Sequence, residues 1–187
     1  MEEENFTQKA FVLAAKEYAK DCHEKTNHHY DEKGNNVPYS FHLSMVVDVA
    51  MEFIDLIEEQ DRPNVIAACW LHDAIEDTRN TYNDVRKHTN TDTAEIVYAL
   101  TNEKGRQRKD RANAAYYKGI RTTPYATFVK LCDRIANFKY SYSQGGSMMK
   151  KYADEYPNFR EALYHERYKD MFFVLDKLTE LANKQPA

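Results

Sequence analysis

The chain has 187 residues, of which 42% are hydrophobic and 30% are charged, and its net charge at pH 7 is −4. This length and composition are typical of one folded domain with a substantial core, and they exclude a disordered or fibrous chain. The acidic excess argues against nucleic acid as a partner, because nucleic-acid-binding proteins usually carry a basic excess. Only five glycines and five prolines occur, which favours helices over a many-turned β-sandwich or barrel.

The three cysteines, Cys22, Cys69 and Cys132, contain no CxxC pair, so neither a disulfide framework nor a zinc knuckle is expected. The first ten residues, MEEENFTQKA, are acidic and polar and lack the parts of a signal peptide. No apolar run approaches the ~20 residues that a membrane span needs. We therefore expect a cytoplasmic protein without a membrane partner. No sequence pattern indicates an oligomeric state.

The first half of the chain has a helical periodicity that one polar segment interrupts. Apolar residues recur at intervals of three and four from Phe11 to Ala19, which predicts a first helix. The segment Thr26 to Tyr39 is polar and contains Gly34 and Pro38, so a loop is predicted there. A second helix is predicted to begin near His42, and a third to cover Val65 to Asp77.

The second half of the chain continues the helical pattern. Further helices are predicted at Thr81 to Lys87, Thr91 to Leu100, Arg111 to Ile120, from Pro124 through Asn137, and in two or three pieces after a break at Ser143 to Ser147, with Pro157 at one boundary. No repeat or linker is evident. The predicted fold is all-α, with residues 1–187 forming one helical domain.

The stretch CWLHDAIEDT, Cys69 to Thr78, gathers four ionisable side chains behind an apolar run. If it is helical, His72 and Glu76 share a face, and so do Asp73 and Asp77. An imidazole nitrogen together with a carboxylate oxygen suits Mn²⁺, Fe²⁺ or Zn²⁺. A solvated acidic face is the alternative. The preceding residues 65–71 are almost all apolar, which predicts a buried helix whose acids need partners.

Two other segments place the same residue types in apolar surroundings. His42 lies in PYSFHLSMVV, at the start of an apolar helix, and Asp133 lies in TFVKLCDRIANF. A carboxylate inside an apolar helix requires a cation. That cation is either a metal ion shared with the histidines or a salt-bridge partner, for which Lys130 and Arg134 are the candidates.

These segments resemble a known family. The order His42, His72–Asp73, Asp133 resembles the HD superfamily of metal-dependent phosphohydrolases. HDAIEDT is similar to the HDxxEDT signature of the RelA/SpoT-type hydrolase domain and of the small alarmone hydrolases. PYSFHL and VKLCDRIAN are similar to PYxxHP and VKLADRxxN of the same branch, although Leu43 replaces the proline.

The resemblance implies a helical HD-domain bundle around one central Mn²⁺, with Fe²⁺ or Zn²⁺ as alternatives. The implied metal ligands are His42, His72, Asp73 and Asp133. The implied reaction removes the 3′-pyrophosphate from a nucleotide such as guanosine tetraphosphate. Glu76 and Asp77 would act on the attacking water, and Asn137 would contact the sugar or phosphate of the nucleotide.

The sequence departs from the family in the region that would bind the substrate. The family usually carries an Arg–Lys pair before PYxxH, where this chain has His28, His29 and Tyr30. These rings could stack on a base but supply less fixed charge than arginine. For His28 and His29, a solvated loop pair or additional metal ligands are the alternatives.

A polyphosphate substrate needs positively charged side chains, and several are candidates. For the first group named below, the alternative is a solvent-exposed face without a binding role. The candidates are the cluster at 104–111 (Lys104, Arg106, Arg108, Lys109 and Arg111), then Lys130 and Arg134, then Lys150 and Lys151; Tyr39 is a candidate for lining the pocket.

Three functions remain open at this point. The first is the Mn²⁺-dependent 3′-pyrophosphohydrolase. The second is an HD-type nucleotide phosphomonoesterase or dNTP hydrolase, against which the acid pair of HDAIEDT argues. The third is a metal-stabilised binding module without catalysis. Release of pyrophosphate, release of orthophosphate, or neither would separate them.

Overall fold

The computed structural model describes residues 2–32, 34–102, 112–145 and 148–184, with side chains from residue 9 onward. The described residues form helices and one small hairpin, which confirms the predicted all-α fold. The α-helices are α1 (Glu2–Glu24), α2 (Ser40–Glu52), α3 (Arg62–Leu71), α4 (Ala74–Asp77), α5 (Tyr82–His88), α6 (Thr91–Leu100), α7 (Ala114–Thr122), α8 (Ala126–Ser143), α9 (Met149–Leu163) and α10 (Lys169–Lys184). Short 3₁₀ turns cover Ile54–Leu56, Glu59–Asp61 and Glu166–Tyr168.

Helix α3 lies in the middle of the core. It packs against α1, α2, α6 and α8, and every residue from Val65 to Leu71 is buried. Helix α8 packs against α2 and α10 and buries most of its length. Burial of these apolar faces is the main favourable contribution to folding. Helices α2 and α8, which carry candidate ligands, and α3, which directly precedes two of them, are therefore mutual neighbours.

The predicted single helix from Val65 to Asp77 is wrong in one respect, because it is broken at His72–Asp73. Helix α3 ends at Leu71, and α4 begins at Ala74. The imidazole Nδ1 of His72 donates to the carbonyl of Cys69 at 2.9 Å. In a continuous helix that carbonyl would accept from the backbone of residue 73, so the side chain competes with the helical pattern.

The predicted loop at Thr26 to Tyr39 contains an antiparallel hairpin. Strands β1 (His29–Glu32) and β2 (Asn35–Pro38) pair with Tyr30 opposite Val37. Gly34 has φ +85°, a conformation that glycine adopts without steric strain, and its N–H donates to Asp31 at 2.9 Å. The strands are short and polar, so no alternation of apolar residues indicated them.

The predicted boundary at Pro157 is also wrong, since this proline lies inside α9. It occupies an exposed position between Ala153, Tyr156 and Phe159, which are buried. Packing of that buried face offsets the hydrogen bond that proline removes from the helix. Among the described residues, none of the helices has the length and apolar character required to cross a membrane.

Candidate metal centre and active-site cleft

Three predicted ligands meet in the core. His42 comes from the first turn of α2, His72 follows α3, and Asp133 lies midway along α8. One side-chain donor atom of each lies within 4.8 Å of the other two. The two Nε2 atoms are 3.3 Å apart, and Asp133 Oδ1 is 3.4 Å from His42 Nε2 and 3.8 Å from His72 Nε2. All three residues are at most 8% exposed.

Asp73 completes this group. Its Oδ2 lies 2.9 Å from His72 Nε2 and 3.8 Å from His42 Nε2. The hydrogen bond from His72 Nδ1 to Cys69 leaves the lone pair of the neutral ring on Nε2, which faces the centre. Two imidazole nitrogens and two carboxylate oxygens from remote segments therefore face one point, and this donor set fits a divalent cation.

The electrostatics of the cluster also require positive charge at its centre. Burial disfavours charged His72, but the carboxylate of Asp73 outweighs this effect and raises the pKa of His72 to about 10. Burial likewise opposes ionisation of Asp133, yet Lys130 and the two histidines hold its pKa well below the usual range. A proton on His72 thus balances the carboxylates when no cation does, and a metal ion would displace it.

Neighbouring side chains hold the two carboxylates. Lys130 Nζ donates to Asp133 Oδ2 at 3.0 Å, and Asn137 Nδ2 donates to Asp133 Oδ1 at 2.5 Å. The hydroxyl of Tyr39 donates to Asp73 Oδ2 at 2.6 Å. The salt bridge to Lys130 that the sequence left open does form, but it uses one oxygen and leaves the other facing the histidines.

The acid pair of α4 opens onto the same space. Asn102 donates to Glu76 from its backbone N at 3.2 Å and from its Nδ2, which lies 2.8 Å from each carboxylate oxygen. Burial, together with the charge of Asp73, raises the pKa of Asp77 to about 6. Asp77 therefore exchanges a proton near neutral pH, which is a property of groups that act in acid–base catalysis.

A cleft of about 410 Å³ connects these groups. The predicted site residues that line it are Tyr39, His42, Asp73, Glu76, Asp77, Lys130, Asp133, Arg134 and Asn137. Arg134 is 7% exposed, and its NH1 donates to Glu155 at 2.9 Å. A larger cavity of about 750 Å³ shares no lining residue with the cleft and includes none of the predicted site residues. Convergent ionisable groups therefore identify the site better than cavity size does.

Other predicted substrate contacts lie at the rim or beyond it. His28 Nδ1 is 3.5 Å from Asp77 Oδ2, although His28 does not line the cleft. His29 is exposed and borders a neighbouring cavity of about 280 Å³. Lys150 and Lys151 are exposed on α9 and are not among the lining residues of the cleft. The basic cluster at 104–111 is outside the described residues.

Sequence reasoning did not identify Asn102, and it named Tyr30 only among rings that could stack on a base, not as a contact of a candidate ligand. Tyr30, in β1, stacks on the ring of His42, and Asn102, just after α6, holds Glu76. Both contacts join segments that are remote in sequence. The only available signal was position: Asn102 follows the end of a helix that packs on α3.

Comparisons with known proteins identify a family and several relatives. The family model described as HD domain matches residues 15–159. The chain is 25% identical over 130 residues to the Xenopus tropicalis protein named guanosine-3′,5′-bis(diphosphate) 3′-pyrophosphohydrolase MESH1, which covers 70% of this chain and 69% of that protein.

An Aquifex aeolicus protein named guanosine-3′,5′-bis(diphosphate) 3′-pyrophosphohydrolase is 29% identical over 157 residues, or 82% of this chain and 21% of that protein. Among solved structures, one described as a metazoan ortholog of SpoT that hydrolyzes ppGpp matches with a TM-score of 0.73 and 20% identity. That match covers 92% of this chain and 95% of the other, and it shows a shared fold.

Proposed function

The chain belongs to the HD domain family, and we propose that it is a Mn²⁺-dependent hydrolase that removes the 3′-pyrophosphate from guanosine-3′,5′-bis(diphosphate) or a closely related nucleotide. The observation that carries this proposal is the convergence of His42, His72 and Asp133 beside the acid pair of α4. The names of the two pyrophosphohydrolase relatives support the choice of reaction.

His42, His72, Asp73 and Asp133 would hold the metal ion. Their two nitrogens and two oxygens suit Mn²⁺, and the same set also accepts Fe²⁺ or Zn²⁺. A divalent cation here would polarise a phosphoryl oxygen and lower the pKa of water. Tyr39 and Lys130, through their bonds to Asp73 and Asp133, keep these carboxylates oriented for that purpose.

Glu76 and Asp77 would carry out the proton transfers. Asn102 fixes the carboxylate of Glu76, so this group can orient the attacking water and accept its proton. Asp77, whose pKa is raised to about 6, can share that proton within the same cleft. Two carboxylates this close act as a unit, so neither is assigned the proton alone.

The substrate contacts follow from the walls of the cleft. Asn137, Lys130 and Arg134 line it and are proposed to face the sugar and phosphates. Both cations already bond a carboxylate, so their charge is oriented before the substrate binds. His28 lies near Asp77 at the rim, where its ring could meet the nucleotide. Contacts from His29 and Lys151 stay predictions.

The test is a product assay. The purified chain is incubated with Mn²⁺ and either guanosine- or adenosine-3′,5′-bis(diphosphate), and the products are separated by ion-exchange chromatography. We expect nucleoside 5′-diphosphate and pyrophosphate, and their loss in Glu76→Gln. Absence of pyrophosphate from both substrates would overturn the proposal. Orthophosphate instead would favour the phosphomonoesterase or dNTP-hydrolase alternative.

A further inference from the structure

Tyr30 of the hairpin lies flat against a candidate metal ligand. The centroids of its ring and the His42 imidazole are 5.3 Å apart, and their planes differ by only 7°. Tyr39 and His72 contact the same imidazole at the same centroid distance of 5.3 Å, but at angles of 60° and 63°. Of these three rings, Tyr30 is therefore the one that lies parallel to the His42 imidazole.

The orientation of the His42 imidazole depends on this parallel ring because His42 lacks the hydrogen bond that usually orients a histidine ligand. A histidine that binds a metal is normally oriented by a hydrogen bond from its other ring nitrogen. His72 has such a bond, from Nδ1 to the carbonyl of Cys69. His42 Nδ1 is buried and has no hydrogen-bond partner within the described residues. Ring contacts must then fix the direction of its Nε2.

The hydroxyl of Tyr30 reaches a second ligand through one intermediate. It donates to Asn137 Oδ1 across 3.4 Å, and Asn137 Nδ2 donates to Asp133 Oδ1 at 2.5 Å. Since an amide has distinct donor and acceptor ends, a donor on its oxygen keeps its NH₂ directed at Asp133. One side chain thus contacts His42 directly and Asp133 indirectly.

The hairpin itself is attached to α8, the helix that carries Asp133. The hydroxyl of Tyr140 donates to Asp31 O at 2.7 Å and accepts from Asp31 N at 3.1 Å. The Tyr140 ring also meets Tyr30 edge-on at 4.8 Å. This attachment sets the position of Tyr30 relative to both ligands.

We propose that Tyr30 is a positioning residue of the metal centre, whose ring orients His42 and whose hydroxyl supports Asp133 through Asn137. The inference rests on the proposed function, in that these two residues are taken as metal ligands. The hairpin is then part of the metal site, and Mn²⁺ affinity depends on β1, which contributes none of the four proposed ligands.

Mn²⁺ titration calorimetry of the full chain tests this directly. We expect Tyr30→Ala to weaken Mn²⁺ binding by roughly 10- to 100-fold, which is the usual effect of removing a residue that supports a ligand. Tyr30→Phe keeps the ring and loses only the long hydrogen bond, so its affinity should stay within about threefold of the wild type. The matched control is Tyr142→Ala on α8, because Tyr142 is 54% exposed.

The thermal midpoint of each metal-free variant separates misfolding from a local effect. Wild-type affinity in Tyr30→Ala, or equal losses in Tyr30→Phe and Tyr30→Ala, would overturn the role of the ring. An equal loss in Tyr142→Ala would do the same, as would a wild-type chain that binds no Mn²⁺. A chain that binds Mn²⁺ and loses affinity only in Tyr30→Ala, yet releases no pyrophosphate, supports this inference and contradicts the proposed function.

Discussion

Asn102 holds both carboxylate oxygens of Glu76, through its backbone nitrogen and its side-chain amide. The carboxylate is therefore oriented by a residue that lies 26 positions later in the chain. If Glu76 handles the proton of the attacking water, its orientation determines the rate of the chemical step.

Replacing Asn102 with alanine should lower kcat by roughly 10- to 100-fold, because Glu76 loses the donors that align it. Mn²⁺ affinity should not change, since the side-chain hydrogen bonds of Asn102 go to Glu76 and not to a candidate ligand. Steady-state kinetics and Mn²⁺ calorimetry measure the two effects separately. Asn183→Ala, at an exposed position near the end of α10, is the control. A wild-type kcat in Asn102→Ala would refute the positioning of Glu76.

Removal of the metal should abolish hydrolysis and lower the thermal midpoint. A ligand present at 100 times its Kd stabilises the folded state by about 2.7 kcal/mol. For a chain of this size that corresponds to a rise of roughly 5–10 °C. We expect this rise when Mn²⁺ is added after chelation, and we expect its loss in His72→Ala. Identical melting curves with and without Mn²⁺ would contradict the metal site.

Replacing Arg134 with methionine should raise KM for the polyphosphate substrate by about 10- to 100-fold, because a charge-assisted contact contributes about 1.5–3 kcal/mol. Methionine preserves much of the side-chain volume beside Phe159, so folding should persist. Kinetics with the best substrate of the product assay provide the measurement. Arg160→Met, which removes an arginine of α9 that does not line the cleft, is the control. Equal KM values for the two variants would exclude Arg134 as a substrate contact.

His23 should make the fold sensitive to acid. It is 3% exposed, stacks on Tyr39 at 4.6 Å, and has no hydrogen-bond partner for either ring nitrogen within the described residues. Burial lowers its pKa from 6.5 to about 4. The unfolded chain therefore takes up a proton at a higher pH than the folded chain, so stability falls as the pH drops from about 6.5 towards 4.

Between pH 7 and pH 5, this single group should reduce the free energy of unfolding by about 2 kcal/mol. His23→Phe keeps an aromatic ring beside Tyr39 and cannot be protonated, so its loss over the same interval should be smaller by that amount. Urea unfolding of both proteins at the two pH values makes the comparison. Equal losses would show that His23 is not the group responsible.

The candidate ligands could be predicted from sequence because each stands in a local pattern. His42, His72 and Asp133 are easy to recognise because each is an ionisable residue in an apolar, helix-like sequence pattern. The resemblance to a known family accounts for their order along the chain. The periodic spacing of apolar residues that predicts helices is also read from neighbouring positions, and most of the predicted helices are present.

The remaining features could not be predicted because they depend on contacts between remote segments or on a single side chain. Tyr30 meets Asn137 across 107 positions, and a polar four-residue strand carries no alternation that would indicate its partner. The end of α3 coincides with the bond from His72 to Cys69, a side-chain contact that helix propensity does not include. Pro157 remains in a helix because its neighbours are buried.

The interruption between Leu71 and Ala74 restricts insertions and deletions at this point of the chain. One residue added there would change the orientation of α4, and with it the positions of Glu76 and Asp77, relative to His72. Insertions and deletions in that stretch should therefore disrupt the cleft even where they leave His72 and Asp73 in the sequence. Gly34, which is exposed between β1 and β2, does not line the cleft, so variants with longer or shorter hairpins should retain the centre wherever Tyr30 keeps its place.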